Sequence, residues 1–140
     1  MTDVTCRQVY PDRWEVSGEI GTRRSAVAID KAFSFGSRVV VVCSPVMREA
    51  WSTVRCGARE IFVQKIFREE DVDVVLRADE YVAVVSSYPK ALRGRYREII
   101  VRSDVVLVDV DSTTLFQNQE DSAWILSVTQ DRPVVLLRTV

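Results

Sequence analysis

Histidine is absent from this chain, and several chemistries leave with it. Without an imidazole there is no His-based triad, no His metal site and no side chain that ordinarily transfers protons near neutral pH. Cysteine is sparse. Cys6, Cys43 and Cys56 are scattered, show no C-x-x-C spacing and are odd in number, which argues against a disulfide framework or a thiol-rich metal site. Lysine is rarer than composition alone would suggest: only Lys31, Lys65 and Lys90 stand among 19 basic residues, the rest being arginine. Charge of one sign is also missing, because 20 acidic residues bring the net charge to −1. No global field therefore draws the chain to nucleic acid, although local basic patches are compatible with that balance. No apolar run approaches the ~18 residues of a membrane span, and the segment after Met1 lacks a basic-then-apolar leader. The expectation is a soluble intracellular, cytoplasmic protein with no membrane partner.

What is present is valine. It occurs 26 times in 140 residues, mostly in short runs. A chain of this length fits one domain, here expected to span residues 1–140, and buries enough surface to hold a core without disulfides. Its 47% hydrophobic and 28% charged residues exclude a disordered polymer. Four runs are apolar on successive residues: 38–43, 81–86, 105–109 and 133–137. Such runs read as strands buried on both faces, as in a parallel sheet covered by helices. Weaker strands are expected at 14–19 and 60–63.

Helical patterns lie between them. Residues 25–35 set Ala28, Ala32 and Phe35 on one stripe, with Gly36 as the stop. Ser44-Pro45 opens a second helix that turns Val46, Met47, Ala50, Trp51 and Val54 inward and ends near Gly57. Residues 88–100 predict a third, kinked near Gly94, and 120–129 a fourth. The charged stretch 67–79 predicts one short helix around Val72 to Leu76. The fold class that follows is α/β, three-layered, with a mostly parallel sheet, helices on both faces and right-handed crossovers.

The first loop entering a helix reads Gly18-Glu-Ile-Gly-Thr-Arg-Arg-Ser25. Against the phosphate-cradling pattern G-x-x-x-x-G-K-[ST], Gly18 and Ser25 fall in place, while Arg23 replaces the second glycine and Arg24 the lysine. Its candidate anion-binding set is Gly18, Gly21, Thr22, Arg23, Arg24 and Ser25, at a helix start whose N–H groups suit an anion. Four further segments follow in order. They are Val-Val-Cys-Ser-Pro-Val-Met-Arg-Glu-Ala-Trp ending at Trp51, Val84-Val-Ser-Ser-Tyr-Pro-Lys-Ala-Leu92, Ser103-Asp-Val-Val-Leu-Val-Asp-Val-Asp-Ser112, and the stretch from Ala123 to Val140.

Taken in that order, the five segments resemble the first RecA-like domain of superfamily-two helicases, on the chromatin-remodeller-like side of that group. The resemblance covers nearly the whole chain. It implies a RecA-like topology, a phosphate cradle at 18–25 and a Mg²⁺-linked aspartate at Asp109. It also requires that cradle and the 105–109 strand to be neighbours on adjoining parallel strands. A lone half-motor of this type is associated with viruses and other mobile elements.

The departures from the pattern decide what activity is expected. Arg24 is bulkier and more planar than the lysine that reaches the phosphates. Arg23 places a side chain where the backbone would wrap phosphate. Val110 occupies the position of the family's catalytic glutamate, so no base remains to orient the attacking water. The expected function is a stand-alone, catalytically degenerate module that binds nucleic acid or a protein, such as a motor or a replication or transcription complex. No cofactor is expected, with weak nucleotide or Mg²⁺ binding left open.

Two alternatives stand beside this. Asp109-Val-Asp111-Ser-Thr113 after an apolar strand also looks like the first motif of haloacid-dehalogenase-type phosphohydrolases, with Asp109 and Asp111 sharing a Mg²⁺ ion. That motif needs a downstream lysine, and none follows Thr113. The other alternative is a structural protein that forms a homodimer through an exposed sheet edge or through the face that a second domain covers in the resembled family. Several side chains keep two readings. Arg23 and Arg24 are either an anion grip or solvated loop arginines. The cluster Arg93, Arg95, Arg97 and Arg102, with Tyr96 interleaved, is either a phosphate-contacting surface or a solvated helix face. Trp14, Trp51 and Trp124 are expected to pack, and Cys43 to be buried and inert.

Overall fold

Seven strands form one sheet in the order β1-β2-β7-β6-β3-β5-β4 in a computed structural model that describes residues 4–19, 23–53, 63–86, 97–110 and 132–139. The strands are β1 (Thr5–Tyr10), β2 (Arg13–Gly18), β3 (Arg38–Cys43), β4 (Val63–Lys65), β5 (Tyr81–Ser86), β6 (Val105–Asp109) and β7 (Val134–Thr139). The described helices are α1 (Arg24–Phe33), α2 (Arg48–Ser52), α3 (Glu69–Leu76) and α4 (Arg97–Arg102), with a 3₁₀ turn at Pro45–Met47. Every strand pair is parallel except β1 with β2. The α/β class and the mostly parallel sheet agree with the sequence reading.

The valine runs occupy the centre for the reason their pattern suggests. In β3, residues 39–43 are all fully buried, and each such side chain contributes roughly 1.5–3 kcal/mol relative to exposure. Alternate residues serve opposite faces. Val39, Val41 and Cys43 join Ala28, Ile29, Ala32 and Phe33 of α1 and Trp51 of α2 in one cluster. Val40 and Val42 join Val72 and Val75 of α3 and Ile99 and Ile100 of α4 in the other. Helices thus cover both faces.

At the edge, Pro11 and Asp12 turn the chain tightly, and β1 runs back along β2 with an irregularity between Gln8 and Tyr10. The run Thr-Cys-Arg-Gln-Val-Tyr has no apolar stretch to betray it, and its side chains from Thr5 to Gln8 are exposed. This strand was not expected. The strand anticipated at 60–63 begins at Val63 and runs to Lys65. The segment after β3 also differs. Met47 packs on the core and Trp51 is buried, but Val46 is 87% exposed and Ala50 is exposed. Pro45 starts a 3₁₀ turn there. Its three-residue repeat rotates the following side chains away from the positions that a continuous 3.6-residue stripe assigns them. The predicted helix at 120–129, Trp124, and most of that at 88–100 lie outside the described residues.

The helix expected to run to Phe35 ends at Phe33 with Ser34 as its cap, and Gly36, two residues further on, serves a contact instead. A Cβ there would collide with the Cβ and carboxylate of Asp104. That carboxylate accepts from the backbone N–H of Arg38 at 3.0 Å and from its guanidinium at 3.2 and 3.4 Å. The small residue lets the approach to β6 dock against the start of β3.

Candidate functional site at the carboxyl edge of the sheet

Because β2, β7, β6, β3 and β5 run parallel, all five deliver their last residues to one edge, where open α/β sheets bind ligands. Gly18 ends β2 there, buried, and Glu19 after it is exposed. The backbone of α1 begins at Arg24, with Arg23 at its N-cap and no side-chain cap. The Val27 N–H donates to the Arg23 carbonyl at 3.0 Å. No acidic residue lies in the first turn, so α1 contributes no carboxylate of its own to offset the positive end of its dipole. Arg23 is exposed, and Arg24 and Ser25 are half-buried. Gly21 and Thr22 lie outside the described residues.

Asp109 closes β6, only 4% exposed. Its position parity with Val105 and Leu107 turns it toward the α1–α2 face. There the indole Nε1–H of Trp51, itself 3% exposed, donates to Asp109 Oδ2 at 2.9 Å. A buried tryptophan calls for an acceptor and a buried carboxylate for a donor, so each answers the other's desolvation. Cys43 ends the neighbouring β3. Its Sγ lies 3.9 Å from the Val85 carbonyl. Burial, and then the negative charge of Asp109, push the thiol up to about 12, against a smaller opposing influence of Arg48. This cysteine is a packing group and not a nucleophile. Arg48 donates to the Ile66 carbonyl at 3.1 Å and lies 4.1 Å from the ring centre of Phe67.

The two segments that the resemblance joins are not on adjoining strands. β7 runs between β2 and β6, pairing Val16 with Leu137 and Leu137 with Asp109. That separates them by two strand spacings, about 10 Å. The physical reason is in the side chains. Val134, Val135 and Leu137 of β7 are buried on both faces, which suits an interior strand. β2 carries Arg13 and Glu15 and belongs nearer the edge. The segments still run parallel and finish on the same edge.

Other sequence-derived candidates do not gather here. Asp111, Arg93 and Arg95 lie outside the described residues, so the Asp109–Asp111 pair and most of the arginine cluster have no described geometry. Arg97 and Arg102 sit exposed on α4, lining a shallow hollow with Glu98 and Val101. Arg102 ends that helix beside Asp104, at the opposite edge of the sheet. Among the described residues no three Cys, Asp or Glu side chains converge as metal ligands, and no helix is long and apolar enough to cross a membrane. Sequence reading missed the pairing of Trp51 with Asp109. The only signal for it was that a buried indole N–H needs an acceptor. No protein-family model, curated protein or solved structure matches the chain.

Proposed function

We propose that the protein is a non-catalytic binding module: a degenerate helicase-like domain, RecA-like in ancestry, that engages nucleic acid or a protein through the carboxyl edge of its sheet. The observation that carries this reading is the Trp51–Asp109 hydrogen bond. A carboxylate that serves Mg²⁺ offers its oxygens to an open site. Asp109 is buried and takes an indole N–H instead, with Val110 following where a base would be needed. The helicase-like part rests on the order of five segments and on the shared edge of β2 and β6. The adjoining strands it called for are not met. For binding, the exposed Arg23 at the N-cap of α1 offers planar, multidentate donors to a phosphate or carboxylate, with Arg24 next to it in sequence.

Two measurements test the reading. ATP and an aryl phosphate, each incubated with the protein and Mg²⁺, are expected to yield no more phosphate than buffer. Release that Asp109→Asn abolishes would establish the phosphohydrolase alternative instead. A low-salt mobility shift with single-stranded and duplex DNA is expected to weaken with salt and with the double change Arg23→Ala, Arg24→Ala. Its absence removes nucleic acid and leaves a protein partner.

A further inference from the structure

The amino edge of the sheet carries a second feature, separate from the edge described above. Ser37 and Arg38 at the start of β3, Tyr81 at the start of β5, Asp104 before β6, and the ends of α3 and α4 enclose an open hollow of about 400 Å³. Three arginines from distant parts of the chain reach it: Arg38, Arg77 and Arg102. Two carboxylates share it, Asp79 and Asp104.

These charges are not equivalent. Asp104 is engaged by the backbone N–H and guanidinium of Arg38, which neutralises the one and holds the other. Arg77 and Arg102 are exposed and form no ion pair or side-chain hydrogen bond among the described residues. A cation at a helix C-terminus offsets the dipole there, and both arginines sit at such ends. For α4, however, the last carbonyls already have donors. Tyr81 Oη–H bonds Ile99 O at 3.3 Å, Ser103 Oγ–H bonds Ile100 O at 2.7 Å, and Arg132 Nη2–H bonds Val101 O at 2.9 Å. The guanidinium of Arg102 is therefore left to the hollow.

We propose that this hollow binds a phosphate group, gripped by Arg77 and Arg102 with Arg38 fixed behind them by Asp104. Guanidinium donors match phosphate oxygens in pairs, and arginine rather than lysine is the residue for such recognition. The volume suits a ligand the size of a nucleotide or pyrophosphate. Asp79 opposes the anion and sets the affinity below what the arginines alone would give. The proposal rests on the lining of this hollow and not on the reading of the carboxyl edge.

Titration calorimetry of the full chain with inorganic pyrophosphate and, separately, with a short single-stranded oligonucleotide tests it. Saturable binding of either is expected to weaken about tenfold in Arg77→Ala and again in the double variant with Arg102→Ala. Asp79→Asn is expected to tighten it about twofold to fivefold. Binding of pyrophosphate assigns the site to free phosphoanions; binding of the oligonucleotide alone assigns it to a nucleic-acid backbone. All three variants change exposed residues, and unchanged circular dichroism confirms their fold. No binding of either probe, or binding that the double variant leaves intact, overturns the proposal. Oligonucleotide binding lost with Arg23→Ala, Arg24→Ala but kept in the double variant does so too, while sparing the carboxyl-edge reading.

Discussion

The two edges of the sheet treat charge in opposite ways. At the carboxyl edge Asp109 is buried, with the indole of Trp51 as donor and the thiol of Cys43 held neutral beside it. At the amino edge Arg77 and Arg102 stand in the open, and Asp104 is held by Arg38. Among the described residues, the carboxylate at the first edge is closed in by its donor, while guanidinium groups at the second stand exposed. A residue's presence at a strand tip is thus a poor guide to its use; its partners and its exposure decide.

Breaking the buried edge should have the largest effect. Trp51→Ala removes a fully packed aromatic and the donor to Asp109, and chemical denaturation should show a loss of about 3–5 kcal/mol. Trp51→Phe keeps most of the packing and should lose about 1.5–3 kcal/mol, the worth of a hydrogen bond to a charged group. If Trp51→Phe is as stable as the unaltered protein, the bond is not what organises this edge.

The close contact of Gly36 with Asp104 at the amino edge comes next. Gly36→Ala forces Asp104 away from Arg38 and should cost about 1–3 kcal/mol. Its effect should shrink when Asp104→Ala is already present, which a double-mutant cycle reads directly.

Alkaline titration compares the edges again. Burial raises Cys43 from an ordinary 9.0 to about 12 and Tyr81 from 10.0 to about 12. In both groups the fold favours the protonated, neutral form. The stability they contribute is complete below about pH 9 and is lost as pH rises from 9 toward 12. A Cys43→Ala, Tyr81→Phe double variant should have a shallower decline over that window. At pH 8 a thiol reagent should modify exposed Cys6 and spare Cys43 in the folded protein.

The smallest effect belongs to the open edge. Arg77→Ala with Arg102→Ala should change stability by no more than about 0.5 kcal/mol, although it abolishes most of the proposed anion binding. A larger loss would mean these arginines hold the helix ends and not a ligand.

Sequence legibility followed the same divide. The runs in β3, β5 and β6 were readable to the residue because a strand buried on both faces must be apolar throughout, and only such strands carry that mark. The short helix at 69–76 was readable from Val72 and Val75, with Asp71 accepting from the N–H groups of Phe67 and Arg68 at its start. β1 was not readable. An edge strand satisfies half its backbone in water and needs no apolar code. The candidate site was legible only as residue types. Asp109, Arg23 and Arg24 could be picked out by position in a pattern, but Trp51 lies 58 residues from its partner, and nothing local links them.

Residue order by itself determined the alternation of strands and helices and the burial of the valine runs, because these depend on side chains and their immediate neighbours. Tertiary structure alone decided that β7 enters between β2 and β6, that Asp109 answers Trp51, and that Arg38, Arg77 and Arg102 meet in one hollow. Those are contacts across the sheet, set by which strand can bear burial on both faces and where the crossovers return the chain.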